Sequence, residues 1–180
     1  GQYSIFMEDL IRRLEIPDVA LLALTSANSY VGMSNGFETN AWRAIVVADV
    51  MEDIRSMLLA NAVNKDAALI RFDEIWKDIL RELVLGEYSG LEKRLKQATD
   101  TFLQIPMMRP PGNVPIITLT GEIFVRRDSL SRQFLTERLA EKGFATHCAP
   151  VAEWILYCNY MVEKGLGSHN FTQSEKMKMK

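Results

Sequence analysis

The sequence predicts an α/β fold, a small parallel sheet with helices on both faces. Three observations point to it. Apolar runs at Asp18–Thr25, Val114–Leu119 and Ala145–Cys148 have the length and composition of buried strands. Segments of helical periodicity separate them. At 180 residues, with about half of them apolar, the chain is long enough to bury a core without staples.

Phe6, Met7, Leu10, Ile11 and Leu14 recur at helical spacing, so residues 3–15 read as a helix, stopped by Pro17. The first strand, Asp18–Thr25, is followed by a Ser-, Asn- and Gly-rich loop to Asn40, which is placed to cap the next helix. That helix offers Ile45, Val46, Val50, Ile54, Met57 and Leu58 as its apolar face. A second helix spans about 66–85, with Phe72, Ile75, Trp76, Ile79, Leu80, Leu83 and Val84 as its stripe and Gly86 behind it. A third spans about 89–103, with Leu91, Leu95, Ala98 and Phe102 inward.

Pro106, Pro110, Pro111 and Gly112 form a linker into the second strand, Val114–Leu119. Asp128 or Ser129 caps the following helix, whose Phe134, Leu135 and Leu139 face the core and whose C′ position is Gly143. Ala145–Cys148 is the third strand, and Pro150 suits the first turn of a last helix reaching about Lys164. The order gives a small Rossmann-like parallel sheet with a helical insert, about 41–104, between the first two strands. Residues 1–164 read as one α/β lobe and 165–180 as a weakly ordered tail. The opening Gly1-Gln2-Tyr3 and the polar Lys/Met run from Glu175 to Lys180 predict a piece of a larger protein.

A net charge of −2 argues for neither nucleic acid nor anionic membrane as a partner. No apolar run approaches the roughly 20 residues of a membrane span. Two cysteines, Cys148 and Cys158, make no disulfide framework, so the cytoplasm is the expected compartment. With His147 and His169 they fall short of a zinc or iron–sulfur ligand set, and read as small buried hydrophobes. Trp42, Trp76 and Trp154 fall on or near apolar helix faces and read mainly as core.

In a parallel sheet, the loops after the strands converge on one edge, where ligands and partners bind. Those loops carry Ser26, Asn28 and Tyr30, then Glu122, Arg126 and Arg127, then Glu153 and Trp154. One reading is a polar cleft joining Glu122, Arg126, Arg127 and Glu153. The other is turn chemistry, helix capping and a structural ion pair, with Glu153 simply complementing a helix dipole. Neither GxGxxG nor GxxxxGK[ST] is present, and no GxSxG elbow exists.

Gly121-Glu122-Ile123-Phe124-Val125-Arg126 and Ala149-Pro150-x-x-Glu153-Trp154-x-x-Tyr157 resemble motifs of a known family. So do Gly1-Gln2-Tyr3, Ser26-x-Asn28-x-Tyr30 and Ala41-Trp42-Arg43-Ala44-Ile45. Over most of residues 1–160 the chain resembles the large C-terminal region of CoA-substrate-specific enzyme activase proteins. These are related to the activator of (R)-2-hydroxyglutaryl-CoA dehydratase and to the benzoyl-CoA reductase system. The chain departs from the family at Asp128-Ser129-Leu130-Ser131-Arg132, where Asp-Pro-x-Ser-Asn is usual, and at Ala152, where Ser is usual.

The resemblance implies an accessory lobe of a protein that supports ATP-driven, iron–sulfur electron transfer to a 2-hydroxyacyl-CoA dehydratase or related acyl-CoA reductase. It implies no cofactor in this lobe and an iron–sulfur cluster in the parent, with the parent's other domains and the dehydratase or reductase as partners. Glu122, Arg126 and Glu153 would then hold the loops, and Arg127 would be the exposed charge that meets a partner. An acyl-CoA-binding lobe of a dehydratase-like subunit, its arginines pairing with phosphates, and a purely structural assembly module stand as alternatives.

Overall fold

The computed structural model describes residues 2–21 and 36–166. It is of the α/β class, with two parallel strands and a large helical region. The chain divides into two compact units, Gly36–Tyr160 and a smaller one drawn from the residues on either side.

Of the smaller unit, α1 (Gln2–Arg13) is a regular helix. Its exposed Arg12 and Arg13 both pair with Asp9, one turn back. The strand expected at Asp18–Thr25 is not seen in its described part: Asp18 has a positive φ of 56° and Val19–Leu21 carry no ladder. The remainder of that strand lies outside the described residues.

The larger unit is organised around α2 (Phe37–Asn61). This helix starts at Phe37 behind Gly36, whose φ is 86°, so Asn40 sits inside the first turn rather than capping it. The Asn40 side chain instead accepts a hydrogen bond from Arg43. The apolar face read from Val46 and Val50 is also displaced, since both are exposed. Val47, Met51 and Leu58 are buried, together with Asp49, Ser56 and Asn61. These positions do not share one stripe because α2 is covered from several sides, by α3 (Lys65–Leu85), by α6 (Leu135–Ala140) and by β2 (Ala145–Cys148).

Helices α2, α3 and α4 (Tyr88–Leu103) share an apolar core centred on Met51, Leu58, Phe72, Ile79 and Leu91, with Trp76 partly buried against it. In α3, Phe72, Ile75, Ile79 and Leu83 are buried as their spacing predicts, whereas Leu80 and Val84 are exposed. Asn64 caps α3 by accepting from the Ala67 N–H. Gly86 ends it at φ 78°. After α4, the chain returns antiparallel to the end of α2. The fully buried Asn61 side chain there accepts from the Arg109 N–H and donates to its carbonyl, standing in for a neighbouring strand.

A 3-10 turn at Pro111–Asn113 leads into β1 (Ile116–Leu119). It pairs in parallel with β2, Ile116 opposite Ala145 and Leu119 opposite Cys148. Between the strands, one helix was expected, running from Asp128 or Ser129 to Gly143. Two short ones occur instead: α5 (Ile123–Arg127) and α6. Asp128 does cap, accepting from the Ser131 N–H at 2.6 Å, but it organises a turn. Gln133 and Phe134 then adopt positive φ of 54°, which breaks the helix and leaves Phe134 half-exposed rather than in the core. Gly143 ends the segment as expected, at φ 80°, with the Phe144 N–H reaching back to the Leu139 carbonyl.

The edge of β2 away from β1 is closed by a side chain. Ala145 and Ala149 donate their N–H groups towards β1, while the Thr146 N–H points the other way and is accepted by the Ser56 hydroxyl at 2.6 Å. The hydroxyls of Ser56, Thr146 and Thr136 form a buried chain linking α2, β2 and α6. α7 (Val151–Glu163) follows β2. No helix among the described residues is long and apolar enough to cross a membrane.

Candidate functional site

The loops after β1 and β2 do converge, and Arg127 brings them together. α5 is one turn and a half long, started by Glu122, whose Oε2 accepts from the Val125 N–H at 2.8 Å. That bond and a second from Phe124 hold the Glu122 carboxyl below its ordinary range. Arg126 turns back on the same loop and donates to the Gly121 carbonyl at 2.6 Å. Arg127, one residue on, points the opposite way.

Arg127 is bound by α2. Its Nη1 donates to Glu52 at 2.7 Å, and its Nη2 donates to Asp49 and to the Ala149 carbonyl at the end of β2. Burial works against the guanidinium charge, but Glu52 and Asp49 outweigh it and hold Arg127 above its ordinary value. Only 18% of its side chain is exposed, so it is not the solvent-facing charge expected of it. The cause is the carboxylate pair, Asp49 buried and Glu52 half-buried, that α2 places opposite it.

Arg132 completes the network. It is 8% exposed, and its Nη1 donates both to Glu52 and to the Arg126 carbonyl. Asp49 has a further role: its two oxygens accept the N–H groups of Val151 and Ala152, the first residues of α7. A carboxylate from one helix thus caps another across the site. Cys148, at the end of β2, is buried with its thiol directed at the Arg126 carbonyl. Burial raises its pKa against the pull of Arg127 and Arg126.

Glu153 is exposed in the first turn of α7, and among the described residues its side chain forms no salt bridge with Arg126 or Arg127. Trp154 is 52% exposed, not core. Ser26, Asn28 and Tyr30 lie outside the described residues. Asp49, Glu52 and Arg132, which carry the network, were not singled out by the sequence reading. The signal was present in Asp49 and Glu52, two of three carboxylates inside the otherwise apolar stretch Ile45–Ile54.

Beside the network, His147 Nδ1 lies 2.9 Å from Asp53 Oδ2, with both side chains about 40% exposed. Among the described residues, no group of three or more His, Cys, Asp and Glu side chains is placed to hold a metal. Comparison with family models, with curated proteins and with solved structures finds no match.

Proposed function

We propose that this chain is an accessory lobe of an activase-like protein, supporting ATP-driven, iron–sulfur electron transfer to a 2-hydroxyacyl-CoA dehydratase or related acyl-CoA reductase. The family reading rests on the sequence motifs around Glu122 and Glu153. The observation that carries the accessory role is the network of Asp49, Glu52, Arg127 and Arg132. It spends the charges at the sheet edge on one another and fastens both post-strand loops to α2. In this reading these groups hold the shape of the sheet edge. Arg126, anchored only to its own loop, is the better contact for a partner. In this reading the cluster ligands come from other domains of the parent, and the compartment is the cytoplasm.

The alternative, an acyl-CoA site at these arginines, needs guanidinium donors free to meet phosphate. Both Nη groups of Arg127 are already taken by carboxylates. The test is iron and acid-labile sulfide in the anaerobically purified parent beside this chain alone, with electron transfer measured for Arg126→Glu. Iron in the parent only, and slower transfer in a normally folded variant, support the reading. A parent without iron overturns it.

A further inference from the structure

β1 keeps one edge open. The carbonyls of Pro115 and Leu119 accept from β2, so Ile117 between them also faces β2. Ile116 and Thr118 therefore turn their N–H and C=O groups the other way, and among the described residues nothing bonds to those groups. Ile116 is 57% exposed, and Thr118 is exposed as well. Sheet edges are commonly guarded by a charge, a bulge or a proline. Here the register to β2 is unbroken, and no charged residue lies between Arg109 and Glu122. Pro115 is no guard, because the N–H it lacks would face β2.

We infer that this edge is a docking surface for a second copy of the chain, the two β1 strands pairing antiparallel about a two-fold axis at Ile117. The hydrogen-bond pattern defines the register. With Ile117 opposite its own counterpart, Ile116 of each copy faces Thr118 of the other, and each such pair exchanges both its N–H···O bonds. Every outward group of the edge then has a partner, and β-branched side chains stand opposite one another.

Charge favours the same arrangement. The nearest charges along the chain are Arg109 before β1 and Glu122 after it, both exposed. Antiparallel pairing sets the Glu122 end of one copy beside the Arg109 end of the other, whereas a parallel pair would set like beside like. A second copy also closes the assembly. It leaves β2 of each copy outermost, where Ser56 of α2 already holds the Thr146 N–H, so the pairing stops at two. This interface does not rest on the electron-transfer reading, since it uses no residue of the ion network.

Sedimentation velocity of the full chain, from about 10 μM to about 1 mM, should show a monomer passing to a dimer and no larger species. Over that range, amide exchange at Ile116 and Thr118 should slow about tenfold or more. Ile116→Pro removes an outward donor and no bond to β2, so it should weaken the dimer about tenfold or more in a folded chain. Charge variants test the register and decide the matter if Ile116→Pro does not fold. Ile116→Lys and Thr118→Glu should each weaken self-association, and an equimolar mixture of the two should associate about fivefold or more tightly than either alone, because lysine then faces glutamate across the strands. A chain that stays monomeric throughout overturns the inference, and slow exchange at both amides in that monomer would assign the edge to another segment of the same chain. A dimer untouched by a folded Ile116→Pro overturns it too, as does a mixture no tighter than its components.

Discussion

Asp49, in the middle of α2, and Arg127, 78 residues later at the end of α5, form an ion pair in which one carboxylate oxygen also receives the Val151 N–H. The pair therefore joins the loop after β1 to the helix after β2 through a third element. A part-buried pair of this kind is weak evidence for net stability but strong evidence for a cost on breaking it.

Asp49→Ala leaves Arg127 buried beside Glu52 alone and removes the cap of α7. It should destabilise the chain by about 3–5 kcal/mol. Adding Arg127→Met should recover part of that loss, because no uncompensated cation remains. Urea unfolding of the two single variants and the double variant measures this. Purely additive losses would show that the two residues act separately.

Ser56→Ala removes the acceptor of the Thr146 N–H at the closed edge of β2. The buried donor is then unpaired, so the expected loss is about 1–3 kcal/mol, with hydrogen exchange at Thr146 accelerated ahead of its neighbours. Unchanged exchange there would mean another acceptor takes over.

Two glycines should respond in opposite directions. At Gly86, φ is 78° and an added Cβ would lie 2.6 Å from the Asn40 side-chain nitrogen, so Gly86→Ala should cost about 1 kcal/mol or more. Gly90 lies inside α4 with ordinary dihedrals, and its Cβ would meet only the flexible end of Glu82. Gly90→Ala should therefore stabilise by about 0.5–1 kcal/mol. Thermal unfolding compares the two, and a destabilised Gly90→Ala would mean that Glu82 cannot move aside.

Acid should loosen the turn after β1. Backbone N–H groups lower the pKa of Glu122, and the hydroxyl and N–H of Ser131 lower that of Asp128. A carboxyl depressed in the folded state contributes its stability fully above the unfolded value. That contribution fades as pH falls below about 4 and through the lower folded value. Glu122→Gln and Asp128→Asn should each flatten the fall in stability below about pH 4. Urea midpoints across that range, read against the parent chain, test it; an unchanged acid limb would show that neither cap forms in solution.

Much of the fold was legible because its signals are local. The parallel strands at Ile116–Leu119 and Ala145–Cys148, the stripe of α3 and the Gly143 turn follow from runs, spacing and one conformational demand. The face of α2 was not legible, since a helix covered from several sides has no single stripe to read. Nor was the break at Gln133 and Phe134, where the chain adopts a backbone that propensity disfavours. At the candidate site, Glu122 and Asp128 are caps within three residues of their partners and could be anticipated. Asp49 and Glu52 meet Arg127 and Arg132 across about eighty residues, and the packing of α2 against β2 brings them together.

The Ser56 hydroxyl on the Thr146 N–H has a topological consequence. With α2 occupying the outer side of β2, this sheet can grow in one direction only. Any further strand, from this chain or from a neighbour, must join alongside β1, and α2 fixes that choice before such a strand arrives.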